Sequence, residues 1–326
     1  MKLGTIKSSS RDGSLVVVNR QLTRIEPVPH IAPNLQTALE KWPVVEADLQ
    51  KIYQLLNEGK GDFLPFDPQQ MMAPLPRAYQ WLDGSAYLSH VERVRKARKA
   101  ELPATLFDEP LMYQGASDHM LAARDAIICA NESWGIDFEA EIGIITDDVE
   151  AGISVSDAET HIKLLLLIND VSLRNLIPAE LAKGFGFIQG KPASAFSAVV
   201  VTPDELGDAW LDNKLHYPLQ VFWNNQLFGQ ANAGMDMHFN FAQLLSHAAK
   251  TRQLIAGTLI GSGTVSNYDV NTGCSCIVEQ RVIEIIETGQ AKTEFMRYGD
   301  TVRIDMFDSQ RQSIFGSIDQ VVQSCP

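Results

Sequence analysis

Leu164-Leu165-Leu166-Leu167-Ile168 is an unbroken apolar run that stops abruptly at Asn169-Asp170. Five residues are too few for a membrane span, which needs roughly 20, and suit a buried strand. Lys163 to Ile168 has company. Asp137 to Ile145, Ser197 to Thr202, Leu219 to Asn224, Cys276 to Ile286 and Thr301 to Phe307 also read as strands, with tight-turn pairs such as Asn224-Asn225 between some of them. Only Pro178 to Lys183 and Asn240 to His247 read as helices here. Many strands with few helices predict an α+β chain of mainly antiparallel sheet, not a doubly wound one. No GxGxxG or Walker segment points to a dinucleotide or to ATP.

The first hundred residues differ in texture. Leu3 to Lys7, an Asp12-Gly13 turn and Leu15 to Asn19 form a hairpin pattern. Residues 34 to 57 follow a helical period, divided by Pro43 and stopped at Gly59-Lys60-Gly61. Four prolines between Phe63 and Pro76 mark a linker. Ser85 to Ala100 is a basic helix, whose Arg93, Arg95, Lys96, Arg98 and Lys99 read as a solvated face. Two domains are expected: an accessory N-terminal domain with its linker over residues 1–105, and a catalytic domain over 106–326.

Charge narrows the function. The chain carries 27 Lys plus Arg against 40 Asp plus Glu, a net charge of −13. Nucleic-acid binding, which relies on a basic face, is excluded. To handle an anionic small molecule, such a protein must gather its few cations, or a metal, at one place. Met1 to Ser8 lacks the apolar stretch of a secretory signal, and there is no membrane segment, so a cytoplasmic location is expected. Cys129, Cys274, Cys276 and Cys325 form no disulfide framework and read as reduced.

Four short segments carry chemistry. In Asp137-Phe138-Glu139-Ala140-Glu141, alternate side chains share one strand face, and three like charges there repel. The strand then turns apolar, and carboxylates entering a core need a cation; an all-oxygen set suits Mg²⁺, Mn²⁺ or Ca²⁺. Asp137 is expected to point aside, to support the site or meet solvent. Asp170 stands at the mouth of the buried strand, followed by Val171-Ser172-Leu173-Arg174. Gly190-Lys191 sets a lysine in a tight loop, and Gly261-Ser262-Gly263-Thr264-Val265-Ser266 is a turn that brings backbone amides close to an anion.

In this order the segments resemble the fumarylacetoacetate hydrolase superfamily, over about Met112 to Val322, including Gly299-Asp300-Thr301-Val302-Arg303-Ile304 through Phe315-Gly316. The resemblance implies a mixed β-roll preceded by a small SH3-like barrel. It implies a divalent cation, Mg²⁺ or Ca²⁺ with Mn²⁺ possible, held by Glu139, Glu141 and Asp170. Arg174 and Lys191 would hold the substrate and stabilise negative charge. Tyr113 and Thr264 match substrate-contacting positions, and His119 paired with Glu279 would activate water. Two departures stand out. Met112 occupies the position of a fourth carboxylate seven residues before the histidine, which leaves three ligands, with Asp118 as a substitute. Ile177 replaces a glutamine of the pocket.

The implied activity is hydrolysis of a carbon–carbon bond in a β-diketo acid, with fumarylacetoacetate, an intermediate of tyrosine and phenylalanine catabolism, as the first substrate to consider. Decarboxylation, hydration or isomerisation of a 2-oxo acid through an enolate is the alternative. A non-catalytic protein that anchors a ligand through the cation ranks third. A homodimer is expected by resemblance.

Overall fold

The computed structural model describes residues 1–97, 101 and 104–325, so Arg98, Lys99 and Ala100 of the expected basic helix lie outside the described residues. The N-terminal strands are β1 (Lys2–Ile6), β2 (Ser14–Val18), β3 (Arg24–Pro27) and β4 (Leu64–Pro65). Strands β5 (Trp81–Gly84), β6 (Met112–Gln114), β7 (Ala140–Thr146), β8 (Ile162–Asn169), β9 (Val199–Val201) and β10 (Leu259–Gly261) complete the main sheet. Its order is β4-β3-β2-β1-β9-β8-β7-β10-β5-β6, with Ala195–Phe196 beside β8. Every pair is antiparallel except β10 with β5. The mainly antiparallel α+β architecture is the one expected.

Strand β8 lies near the middle and is covered on both sides. Leu165 and Leu167 face one hydrophobic core, while Leu164, Leu166 and Ile168 face the other. This is why its sequence is apolar without alternation. A second sheet of five strands includes the hairpin Leu219–Trp223 and Gln226–Gly229. Asn224 and Asn225 both adopt positive φ at its turn, a geometry Asn tolerates.

Three expectations need correction. The N-terminal strands close no SH3-like barrel. Leu3 pairs with Val200, so the edge of β1 is taken by β9 and the N-terminal strands extend the main sheet. The proline-rich segment 63–76 packs along that sheet: β4 pairs with β3, and buried Met71 bridges to Ile6. Finally, the interval Cys276 to Ile286 is helical, not extended. Four helices matter below: α1 (Leu35–Glu40), α2 (Trp42–Glu58), α3 (Leu88–Ala97) and α4 (Ile277–Thr288). In α4 the isoleucines and valines suggest a strand, but the Asp137 carboxylate accepts hydrogen bonds from the Ile277 and Val278 amides and fixes a helical first turn. Gly289, at φ 86°, ends it.

Candidate active site

Three adjacent strands and two strand ends converge on one acidic cluster. The β7–β8 register sets Glu141 opposite Ile168, at the end of β8, just before Asp170. The β10–β5 register sets Gly261 opposite Asp83. Glu139 precedes β7. Asp83, Glu139, Glu141 and Asp170 are all buried, and one carboxylate oxygen from each lies within 4.8 Å of the others. Gly261 keeps the space between them open. A Cβ there would lie 2.6 Å from Asp83 Oδ1, 2.9 Å from Glu141 Oε2 and 2.5 Å from the Trp81 ring. Gly261→Ala is therefore expected to lower Tm and to weaken cation binding by calorimetry. Unchanged values for both would show that the cradle yields freely.

Two cations serve this cluster. Lys191 Nζ donates to Glu139 Oε2 and Asp170 Oδ2, each at 2.5 Å. Arg174 donates through Nε to Asp137 at 2.7 Å and through Nη2 to Glu139 at 2.6 Å. Burial alone would raise the Glu139 carboxyl, but the Arg174 and Lys191 charges overcome it and hold it far below its usual range. Asp170 also accepts from Tyr113 Oη at 2.5 Å and from Ser194 Oγ at 2.7 Å. Glu141 has no such company. Both its oxygens are buried without a hydrogen-bond partner among the described residues. Burial, reinforced by the Asp83, Asp170 and Glu139 charges, raises its carboxyl well above the ordinary value. Burial and then the Asp170 charge push Asp83 to about 8.

A buried carboxylate among three others, with no side-chain or backbone donor to either oxygen among the described residues, is costly unless a cation stands there. The donor set is all oxygen and anionic, so it fits Mg²⁺, Mn²⁺ or Ca²⁺. Asp83 supplies the fourth carboxylate, whose expected position was Met112 with Asp118 as a substitute. Carboxyls whose folded pKa is raised disfavour the folded state progressively as pH climbs from about 4 toward 8. Metal-free protein should therefore lose Tm over that range, and added Mg²⁺ or Mn²⁺ should raise Tm more at pH 8 than at pH 6. Equal metal-induced shifts at the two pH values in differential scanning calorimetry would contradict this.

A histidine–carboxylate pair completes the site. His90 projects from α3, and its Nδ1 lies 3.2 Å from Oε2 of Glu279 in the first turn of α4. The other Glu279 oxygen accepts from Arg93 Nη1 at 2.5 Å and from Ser266 Oγ at 2.6 Å. Burial opposes ionisation of Glu279, but hydrogen bonds from His90, Ser266 and Arg93 prevail and hold its carboxyl below the usual range. A cavity of about 350 Å³ opens between these groups. Asp83, His90, Tyr113, Glu139, Arg174, Lys191 and Thr264 line it, with an apolar wall that includes Val91, Val94, Ile177 and Phe187.

The expected residues thus divide clearly. Glu139, Glu141, Asp170, Lys191, Arg174, Tyr113, Thr264 and Glu279 gather at one place; His119 does not. It lines a separate cavity with Lys7, Arg11, Arg77 and Asp118, so neither His119 nor Asp118 belongs to the carboxylate cluster. Met112 pairs opposite Gly84 on β6, which leaves Tyr113 opposite Asp83. The expected spacing, a carboxylate seven residues before the histidine, is met by Asp83 and His90. That signal was visible in Asp83-Gly84-Ser85-Ala86-Tyr87-Leu88-Ser89-His90, but the basic helix masked it. Asp137, expected to meet solvent or support the site, is fully buried and holds Arg174.

Residues 80–323 match the family model described as Fumarylacetoacetate (FAA) hydrolase C-terminal, and residues 1–77 match Fumarylacetoacetase N-terminal domain 2. Among curated relatives, 2,4-didehydro-3-deoxy-L-rhamnonate hydrolase of Sphingomonas sp. (strain SKA58) is 30% identical over 159 residues, 48% of this chain and 53% of that protein. The match thus spans about half the length of that relative. The crystal structure of maleylpyruvate hydrolase from Sphingobium sp. SYK-6, in complex with manganese(II) and pyruvate, superposes with a TM-score of 0.68 at 13% identity over 100% of both chains. The 5-carboxymethyl-2-hydroxymuconate delta-isomerase of Mycobacterium smegmatis gives 0.62 at 14% identity, again over 100% of both. These two likenesses establish the fold. The family models span both the N-terminal strands and the segment holding every residue of the cluster, and the chain belongs to the fumarylacetoacetate hydrolase family.

Proposed function

We propose that the protein is a metal-dependent hydrolase that cleaves a carbon–carbon bond in a β-diketo acid, with fumarylacetoacetate, giving fumarate and acetoacetate, as the first substrate to test. The single observation that carries this reading is that His90, its ring held by Glu279, lines the same cavity as Asp83 and Glu139. A decarboxylase or isomerase needs no water-activating pair, whereas a hydrolase does. The named activities of the relatives include hydrolysis and isomerisation, and hydrolysis agrees best with this pair.

Asp83, Glu139, Glu141 and Asp170 would hold the divalent cation, Mg²⁺, Mn²⁺ or Ca²⁺, which when bound supplies Lewis-acid polarisation of the substrate's oxygens. Arg174 and Lys191 bring fixed positive charge to the cavity and attract the anionic substrate. Tyr113 and Thr264 stand at its wall to orient it. Glu279 fixes the His90 ring through Nδ1, leaving Nε2 to take a proton from water. The hydroxide attacks one carbonyl carbon, the bond to the carbon between the two carbonyls breaks, and that carbon recovers the proton from Nε2. The apolar wall of Val91, Val94, Ile177 and Phe187 limits competing water. No helix among the described residues is long and apolar enough to cross a membrane. The cytoplasmic location and the homodimer belong to this proposal, and light scattering tests the second.

The experiment is a panel assay. Metal-loaded protein is offered fumarylacetoacetate, several acylpyruvates and oxaloacetate. Cleavage of a diketo acid supports the proposal. Exclusive decarboxylation of oxaloacetate would overturn it.

A further inference from the structure

A second group of metal-ligating side chains lies beside the carboxylate cluster, and its chemistry is different. Cys276 Sγ, a ring nitrogen of His90 and a carboxylate oxygen of Glu279 lie within 4.8 Å of one another. Cys276 is fully buried and occupies the residue before α4, where Ser, Thr, Asp or Asn would normally cap the helix. Its side chain makes no capping hydrogen bond, because the Asp137 carboxylate accepts from the Ile277 and Val278 amides instead. Cys129 and Cys274 direct their sulfurs to Asn131 and Gln280. Among the described residues, no hydrogen bond engages the Cys276 sulfur. A buried thiol without a partner thus sits next to an imidazole and a carboxylate.

We propose that Cys276, His90 and Glu279 form a binding site for a thiophilic divalent cation, Zn²⁺ in the first instance, and that its occupancy inhibits the enzyme. Sulfur, nitrogen and oxygen donors select a softer ion than the four carboxylates do, so the two sites can fill independently. Arg93 and Ser266 occupy one Glu279 oxygen and leave Oε2, which faces His90, for the ion. Three protein ligands leave a fourth position open, and the ion would reach them through the cavity that His90 lines. Binding displaces the Cys276 thiol proton to solvent and takes His90 and Glu279 out of use as the pair that activates water. The inhibitory consequence rests on that reading of His90; the binding does not.

The test uses full-length protein saturated with Mg²⁺, with Co²⁺ and Zn²⁺ as probes. Co²⁺ should produce a thiolate-to-metal charge-transfer band that Zn²⁺ displaces, and Zn²⁺ should suppress diketo-acid cleavage. Cys276→Ser should abolish the band and raise the Zn²⁺ concentration for half-inhibition by about tenfold or more, the loss of the one sulfur ligand. Mg²⁺-supported activity should stay within about twofold, because Cys276 lies outside the catalytic cavity. Should the serine variant fold poorly, His90→Ala offers an independent check and must also lose the band. No band in the parent protein, or equal Zn²⁺ inhibition of the parent and Cys276→Ser, overturns the proposal. A Cys276-dependent band without inhibition supports the site and overturns the reading of His90 as base.

Discussion

Glu141→Gln should abolish activity and weaken Mg²⁺ or Mn²⁺ binding, while making the metal-free protein more stable. The opposite signs follow from one feature. Glu141 is buried with both oxygens unpartnered and faces three other carboxylates. In the metal-free protein its charge is a burden, which is why burial and its neighbours raise its carboxyl so far. Gln keeps the shape and removes the charge. At pH 8 the metal-free variant should therefore melt above the metal-free parent, and its Tm should respond little to added cation. The parent should show a large response. Lewis-acid stabilisation is worth several kcal/mol, so activity should fall by roughly 10³-fold. Calorimetry gives the affinity and melting curves give the sign. Undiminished metal binding by Glu141→Gln would remove this residue from the ligand set.

The second large effect concerns the base. His90→Ala should lower kcat by roughly 10² to 10⁴ with KM little changed, as expected when a group acts on water rather than on substrate binding. His119→Ala, in its separate cavity, should stay within about twofold of the parent, the range of a surface change away from the chemistry. Steady-state kinetics on both variants separates the two histidines. A loss of less than tenfold in His90→Ala would mean that another group activates water or that the reaction needs none. The second case would favour an isomerase or decarboxylase, served by proton transfer alone.

Much of the site could be read from the sequence because its chemistry lies in short, contiguous segments. Strand alternation places Glu139 and Glu141 together, the abrupt end of an apolar strand marks Asp170, and tight loops hold Lys191 and Thr264. The missing pieces, Asp83 and His90, sit in a segment whose charges resemble a solvated helix. Their role comes from tertiary structure: β5 pairs in parallel with β10, far away in sequence, and α3 packs against α4. Arg93 likewise looks like surface charge, yet it is tied to buried Glu279. The helix α4 was hidden by its β-branched residues, since its first turn is fixed by Asp137, 140 positions away. The pairing of β1 with β9 was equally invisible, because Val200, the partner of Leu3, lies far away in the sequence.

Isotope incorporation tests the central claim most directly. Turnover of fumarylacetoacetate, or of whichever diketo acid in the panel is consumed, is run in H₂¹⁸O with saturating Mg²⁺ or Mn²⁺, and the products are analysed by mass spectrometry. If His90 and Glu279 activate water for attack on a carbonyl carbon, cleavage places one ¹⁸O in the newly formed carboxylate, and His90→Ala suppresses the labelled product in step with turnover. Substrate consumed without label entering a new carboxylate, or labelled product formed at an undiminished rate by His90→Ala, would contradict the account.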